Sequence, residues 1–367
     1  MGRSIQDLLS AYNMMGSIEA VKTGIPDPCP DFSAAGLKRG IVGKSGSFIK
    51  VDGGRTLARK VAYGSPSVRT GLRGISEVGV MLLHVFEHQM HDPIVLVNLL
   101  DPTNAVAQDL ALKEVGRQTK LFKSRFENLR IAMNVSLLRY GALYFDGAGN
   151  LLPSAGGAVD TIDFGIPAGN KGTLDVFGAG AIIAAKWSAS TTNIPAHVAA
   201  IIEASARLTG YEVTTAYYGK NLLSYLMAND YVKLLLTYQP AWSQQLLNQQ
   251  IPDGFLGLKW KPASKAFFED AAGVTQVMWS DDQVTFVPDV SNDWFEVLEG
   301  TYPVPTDLGG TAADAASIAS GKVTMVQGMF NYAHVLSDPV GIKHMAGDTV
   351  LPVLKVPKAV FQATIHS

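Results

Sequence analysis

Between His84 and Pro93 the chain reads HVFEHQMHDP, three histidines, a glutamate and an aspartate within ten residues. On a helix, His84, His88 and His91 would share one face, and neighbouring imidazoles could grip one transition-metal ion. On a strand that geometry fails. Four residues of extended chain advance roughly 13 Å, so His84 and His88 would share a face but not an ion. The flanking residues decide between the two. VMLLHVFEHQM is apolar on both faces and rich in Val, Phe and Leu, the composition of a strand returning into a core. His84, Phe86 and His88 then face one way and Leu83, Val85 and Glu87 the other, and no metal site is assigned.

The remaining reactive side chains form no enzyme signature. GKS at Gly43 to Ser45 lacks the glycine of a phosphate-binding loop, because Lys38 stands at that position. GKSGS is not a nucleophile elbow, since Ser47 replaces the required glycine. GAGAIIAA from Gly178 has two glycines of a dinucleotide fingerprint and lacks the third. Asp281, Asp282, Asp289 and Asp293 do not follow calcium-loop spacing. His197, His334, His344 and His366 are scattered, so neither a catalytic residue nor a cofactor is called for.

Size and composition point to a packed, soluble protein. The 367 residues, 47% of them apolar, suffice for two or three layers or domains. No uncharged apolar run is long enough for a membrane span, and the start MGRSIQDLLSAYNMMGS lacks the apolar stretch of a signal peptide. Neither export nor membrane contact is expected. A single cysteine, Cys29, excludes an internal disulfide and a cysteine-based zinc site.

Charge is nearly balanced overall, at −2, which argues against a dedicated nucleic-acid binder. Its distribution is uneven. From Lys44 to Arg73 seven basic residues (Lys44, Lys50, Arg55, Arg59, Lys60, Arg69 and Arg73) face one acid, a net of +6. From Asp253 to Asp314 eleven acids, among them Asp281, Asp282, Asp289, Asp293, Glu296 and Glu299, face three lysines, a net of −8. Two solvated surfaces would explain this. A sharper reading docks the basic segment of one copy on the acidic segment of another.

Local patterns supply the framework. Residues 1–40 open with Ile5, Leu8, Leu9 and Tyr12 at helical spacing and then loosen, as an arm would. Residues 41–92 hold the short extended pieces SFIKV and RKVAY, broken by DGG and GSP, which read as a long β-hairpin with a return strand. Asp101-Pro102 is a helix start. From there to about Gly141 the apolar residues Val106, Leu110, Phe122, Phe126 and Met133 are assigned to the buried face of one very long helix, which Gly116 could bend. Two further helices, Pro195 to Thr209 and Asn221 to about Leu236, flank the strand YEVTTAYYG. FLGLKW, VTQVMW and VTFVP complete that α/β unit. DLGGTAADAASIASG is a loop candidate, and the C-terminal part is strand-rich.

Arm, basic hairpin, long helix, late α/β unit and strand-rich return follow one another in the order of the Hong Kong 97 capsid fold of tailed phages. TIDFGIP at Thr161 to Pro167, VTFVPDVSNDWFEVLEGTY and the ending DPVGIKHMAGDTVLPVLKVPKAVFQATI resemble the phage lambda major capsid protein E family. The resemblance implies an α+β fold with an N-terminal arm (1–40), an extended E-loop and return strand (41–92), a spine helix with peripheral domain (93–190), an axial domain (191–325) and C-terminal peripheral strands (326–367). It also implies a shell of hexamers and pentamers around double-stranded DNA, with portal, scaffold and decoration proteins as partners. Lys50, Arg55, Arg59, Lys60, Arg69 and Arg73 would dock on a neighbour. Some members of the wider fold join a hairpin lysine to a neighbour's asparagine, and nothing here identifies such an asparagine. An encapsulin-like compartment and a soluble α/β enzyme using Pro195 to Pro305 are the alternatives.

Overall fold

The structure, a computed structural model, describes residues 26–51, 75–91, 94, 105–263, 267–269, 274–305, 323–337 and 340–366. The chain enters through two short 3-10 turns and forms β1 (Lys38–Ile41). β2 (Ser45–Val51) and β3 (Ile75–Met81) pair antiparallel, with Phe48 opposite Val78. They form the stem of the expected hairpin; its tip, residues 52–74, lies outside the described residues. The stem is anchored, because Phe48 is buried in the main core and the Val51 amide donates to the Lys355 carbonyl at 2.8 Å.

β4 (Leu83–His91) follows, then the 36-residue helix α1 (Ala105–Tyr140), about 54 Å long at the usual rise. The expected start at Asp101-Pro102 lies outside the described residues. No proline interrupts α1, and Gly141 ends it with φ at +70° while its amide donates to Leu137 O at 2.8 Å. A side chain at Gly141 would also stand 2.5 Å from Ile166 Cδ1.

β5 (Ala142–Phe145) and β6 (Asp160–Asp163) make a small hairpin, followed by β7 (Lys171–Gly172). α2 (Ile194–Thr209) starts on Asn193, whose side chain accepts the Ala196 amide, and stops on Gly210 at φ +85°. After β8 (Val213–Tyr218), the single helix expected from Asn221 to Leu236 is two, α3 (Leu222–Ala228) and α4 (Asp230–Thr237). Asn229 breaks it. Fully buried and extended at ψ 131°, it accepts the Val232 amide and donates to the carbonyls of Ser190 and Thr192, so it caps α4 and cannot continue α3. α5 (Pro240–Leu247) completes this helical layer.

The remaining strands are β9 (Lys259–Pro262), β10 (Phe267–Glu269), β11 (Thr275–Val277), β12 (Gln283–Pro288), β13 (Phe295–Pro305), β14 (Val323–Gln327), β15 (Phe330–Ser337), β16 (Val340–Leu354) and β17 (Phe361–Thr364). They build two principal sheets. One has six strands in the order β1-β13-β16-β15, with β4 also on β16 and β14 on β13. The other has five, β7-β17-β12-β8-β9. β11, in VTQVMW, pairs with β10 in a separate hairpin instead of joining the second sheet.

The expected domain limits do not coincide with these sheets. β13, assigned to the 191–325 unit, is inside the six-stranded sheet, and β17, assigned to the other unit's C-terminal strands, is inside the five-stranded one. The chain thus crosses between sheets after β12 and again after β16. Trp294 sits at that junction, fully buried, with its indole donating to Asp289 O and its carbonyl accepting from Lys355. Residues 29–41 depart from the arm expectation too: Cys29, Phe32 and Leu37 are buried in the main core and β1 runs parallel to β13. An α+β fold results, with α1 packed on one face of the six-stranded sheet.

Candidate assembly surfaces

β4 places the histidine cluster. Its register on β16 sets His84 opposite Thr349, His88 opposite Met345 and His91 opposite Ile342. Alternation turns His84 and His88 to the face away from α1 and His91 toward it. His84 Nδ1 lies 2.8 Å from Thr349 Oγ1, and its ring stacks 5.0 Å from Tyr302. Tyr302 in turn lies flat on Phe330, at 4.5 Å and 4°. Phe330 covers Gly347, where a Cβ would stand 2.5 Å from the ring. Burial first, then the Lys44 charge, hold the His84 imidazole below its ordinary value. These are packing roles.

Of the basic hairpin residues, Lys50 is at the stem's end, its Nζ over Gly165 of TIDFGIP, 2.6 Å from where a Cβ would stand. It therefore rests on its own subunit. Arg55, Arg59, Lys60, Arg69 and Arg73 lie outside the described residues.

The acidic candidates divide. Asp281, Asp289 and Asp293 are exposed. Asp289 accepts from Thr214 Oγ1 at 2.8 Å and pairs with Lys259 at 3.6 Å, while Asp282 accepts from Asn221 and from the Tyr225 hydroxyl. Glu296 and Glu299 are buried, so as open acceptors for another copy they are corrected. They lie on opposite faces of β13, and each meets cations of its own subunit. Glu296 is 3.5 Å from Arg39 and 3.7 Å from Lys355; Glu299 is 3.0 Å from Lys38 and 2.7 Å from Arg130. Burial opposes ionisation of Glu299, but Arg130 and Lys38 together hold its pKa below the ordinary value.

The helix residues divide as well. Phe122, Phe126 and Met133 are buried, whereas Val106 and Leu110 are 72% and 60% exposed, a second correction. The reason is angular. At about 100° per residue, Phe126 and Met133 fall within about 40° of Phe122, while Leu110 is about 120° and Val106 about 160° round the helix. With Leu121, 43% exposed, they leave apolar side chains on the outer side of α1. Beneath α1, a cleft of about 590 Å³ is lined by Phe32, Lys38, Lys123, Arg130, Met133 and Val350, among others.

Sequence reasoning missed the anchoring segment before β1. Phe32 meets Tyr217, Trp294 and Phe295 edge-on, at 6.0, 5.7 and 4.7 Å between ring centres. Asp31 accepts the Tyr217 hydroxyl at 3.1 Å and pairs with Lys261. Only the aromatic residue amid PDPCPDFSAAG hinted at it.

A long helix across one sheet, a second sheet sharing the chain's crossings and a paired hairpin stem define a Hong Kong 97-type capsid fold, a class of shell-building proteins. The chain belongs to the family Phage major capsid protein E, which it matches over residues 47–365. It is a structural protein of the virion capsid, not an enzyme. Among solved structures it is similar to a prophage protein of E. coli CFT073 described as a candidate capsid protein (13% identity, 97% of this chain and 99% of that one, TM-score 0.56). It is also similar to a phage-related protein of Bordetella bronchiseptica RB50 (11% identity, 97% of each chain, TM-score 0.50). The search of curated proteins gave no match. Among the described residues no helix is long and apolar enough to cross a membrane.

Proposed function

We propose that the chain is the major shell protein of a tailed-phage head, closing into hexamers and pentamers that form an icosahedral container for double-stranded DNA. Membership of the capsid E family carries this reading. The exposed apolar residues Val106, Leu110 and Leu121 support it, because an outward apolar stripe on a long helix suits contact with another copy. In the same reading, residues 41–92 serve as the E-loop, the six-stranded sheet with α1 as the peripheral unit and the five-stranded sheet with α2 to α5 as the axial unit. Portal, scaffold and decoration proteins would be its partners, and the DNA contact would be non-specific.

Expression of the full chain, followed by sedimentation, electron microscopy and a nucleic-acid assay, tests the proposal. Closed particles of megadalton mass are expected, and with the phage's packaging machinery they should hold double-stranded DNA. A discrete monomer or dimer under all assembly conditions would overturn the shell. Closed particles that carry protein cargo and exclude DNA would replace the phage head with an encapsulin-like compartment.

A further inference from the structure

Against α1, the six-stranded sheet buries a polar cluster that the shell reading does not use. His91 on β4 and His344 on β16 stack at 5.7 Å with 22° between their planes. Phe122 of α1 meets the His344 ring edge-on at 5.2 Å. Asn331 of β15 places Nδ2 3.4 Å from both His344 Nε2 and Thr119 Oγ1. His91, His344, Asn331, Gln118 and Thr119 are all more than nine-tenths buried. Four of their atoms, His91 Nε2, His344 Nδ1, Asn331 Oδ1 and Gln118 Oε1, make no hydrogen bond. The amide contact makes His344 Nε2 the acceptor, which leaves the proton of the neutral ring on Nδ1.

Among the described residues, the carboxylates turned to this seam each pair with an arginine of α1, and Glu87 keeps its second oxygen, Oε2, buried without a hydrogen bond. Glu114 accepts two bonds of 2.8 Å from Arg117 and one from Gln118, Glu87 of β4 pairs with Arg125 at 3.0 Å, and Asp348 of β16 pairs with Arg130 at 2.6 Å. Burial is the largest influence against a proton on His91; Glu114 favours one and Arg117 opposes it, and the balance holds the ring below its ordinary value. The two rings face each other directly, so a proton on His91 opposes one on His344. β15 presents Asn331 to the pair. A charge placed here would be desolvated and would lack a free anion, which is strongly unfavourable.

We propose that the His91–His344 pair is an acid-operated latch: both rings stay neutral and stacked while the first half of α1 lies on the sheet, and protonation opens that seam between Ala111 and Phe122. Opening hydrates the rings, so the open form takes up protons that the closed form rejects. Burial first, then His91, push His344 down to about 4, against an ordinary value of 6.5. The closed form is therefore favoured at neutral pH, and that preference is lost as pH falls from the open-state value toward 4. At pH 5 His344 alone would raise the open fraction about 20-fold over neutral pH. The second half of α1, tied down by Arg130 and the apolar core, would not share the change.

Amide hydrogen exchange of the full-length subunit, corrected for the intrinsic pH dependence, reads the opening. Between pH 7 and pH 5, protection of amides 111–122 should fall at least 10-fold and that of amides 129–138 should not. The double variant His91→Gln, His344→Gln should abolish the difference. Unchanged protection in the unmodified chain, or an equal loss in the double variant, would overturn the latch. Should the double variant fail to fold, C2-hydrogen exchange of the individual histidines in the unmodified chain decides. A midpoint for His344 well below 6.5 that tracks the opening supports the proposal, and an ordinary midpoint refutes it.

Discussion

Arg130, in the second half of the long helix, grips Asp348 on the central strand with two hydrogen bonds of 2.6 Å, Nε to Oδ2 and Nη2 to Oδ1, and reaches Glu299 with its remaining Nη1 at 2.7 Å. Helix and sheet are thereby tied in register at one point. Burial opposes the guanidinium's charge, but Asp348 and Glu299 outweigh it and hold the group above its ordinary value. Replacing Arg130 by methionine leaves the Asp348 carboxylate buried without its cation and should cost about 3 to 5 kcal/mol. Adding Asp348→Leu to that variant should recover a large part of the loss. Urea denaturation of the subunit measures both. A loss below about 1 kcal/mol in the single variant would mean that the bridge is solvated.

The two faces of α1 should respond oppositely to truncation. Phe126, 1% exposed and stacked 6.4 Å from Phe122, packs against Ala346, so Phe126→Ala should cost about 3 to 5 kcal/mol of subunit stability. Val106→Ser with Leu110→Ser should change subunit stability by no more than about 1 kcal/mol, because these side chains already face solvent. Its effect should appear as a higher critical concentration for assembly, measured by light scattering. Loss of stability in the double serine variant would place this stripe inside the subunit.

Phe32 gives a prediction with a chemical readout. Its ring closes over the junction of the two sheets next to Cys29, whose thiol is fully buried and pushed well above its ordinary pKa by burial and then by Asp27 and Asp31. The native thiol should be inert toward a disulfide reagent at pH 8. Phe32→Ala should cost about 3 to 5 kcal/mol and raise Cys29 reactivity at least 10-fold. Equal reactivity in both proteins would show that the segment before β1 opens independently of the Phe32 contacts.

What could be read beforehand followed from local pattern. β4 was legible as a strand because Val, Leu and Phe favour extended chain, but its exposure was not: among the described residues it pairs only with β16, and Phe86 and Met90 remain exposed. α1 was legible because no proline falls between Ala105 and Tyr140. Val106 and Leu110 do not share the buried face because 100° per residue carries them about 160° and 120° from Phe122, a drift that apolar type alone does not reveal. Glu296 and Glu299 read as solvated charges because the cations that take them, Lys38, Arg39 and Arg130, come from distant sequence. The same holds for β13 and β17. Their residues specify a strand, while the sheet that receives them depends on partners brought together only by the crossing at Trp294.

Charge reversal tests how copies would recognise one another. The segment Lys44 to Arg73 carries a net of +6, and Lys50, at the stem, is already seated on its own subunit. Recognition would then rest on residues such as Arg55, Arg59 and Lys60. With Glu296 and Glu299 neutralised internally, the exposed Asp281, Asp289 and Asp293 are the acids of the named set left open to them. Head-to-tail contact between unlike surfaces closes into rings. Individual exposed ion pairs contribute only about 0 to 1 kcal/mol, so the charges would steer docking and set its register, with apolar burial supplying most of the affinity. Reversing Arg55, Arg59 and Lys60 together to glutamate should therefore leave subunit folding unchanged by circular dichroism and block or misdirect assembly. Adding Asp281→Lys, Asp289→Lys and Asp293→Lys should restore part of it, because the attraction is re-formed with its signs exchanged. Normal particles at ordinary salt and yield from the first variant would remove the basic segment from the contact, and a failed rescue would place its acceptor elsewhere on the neighbouring copy.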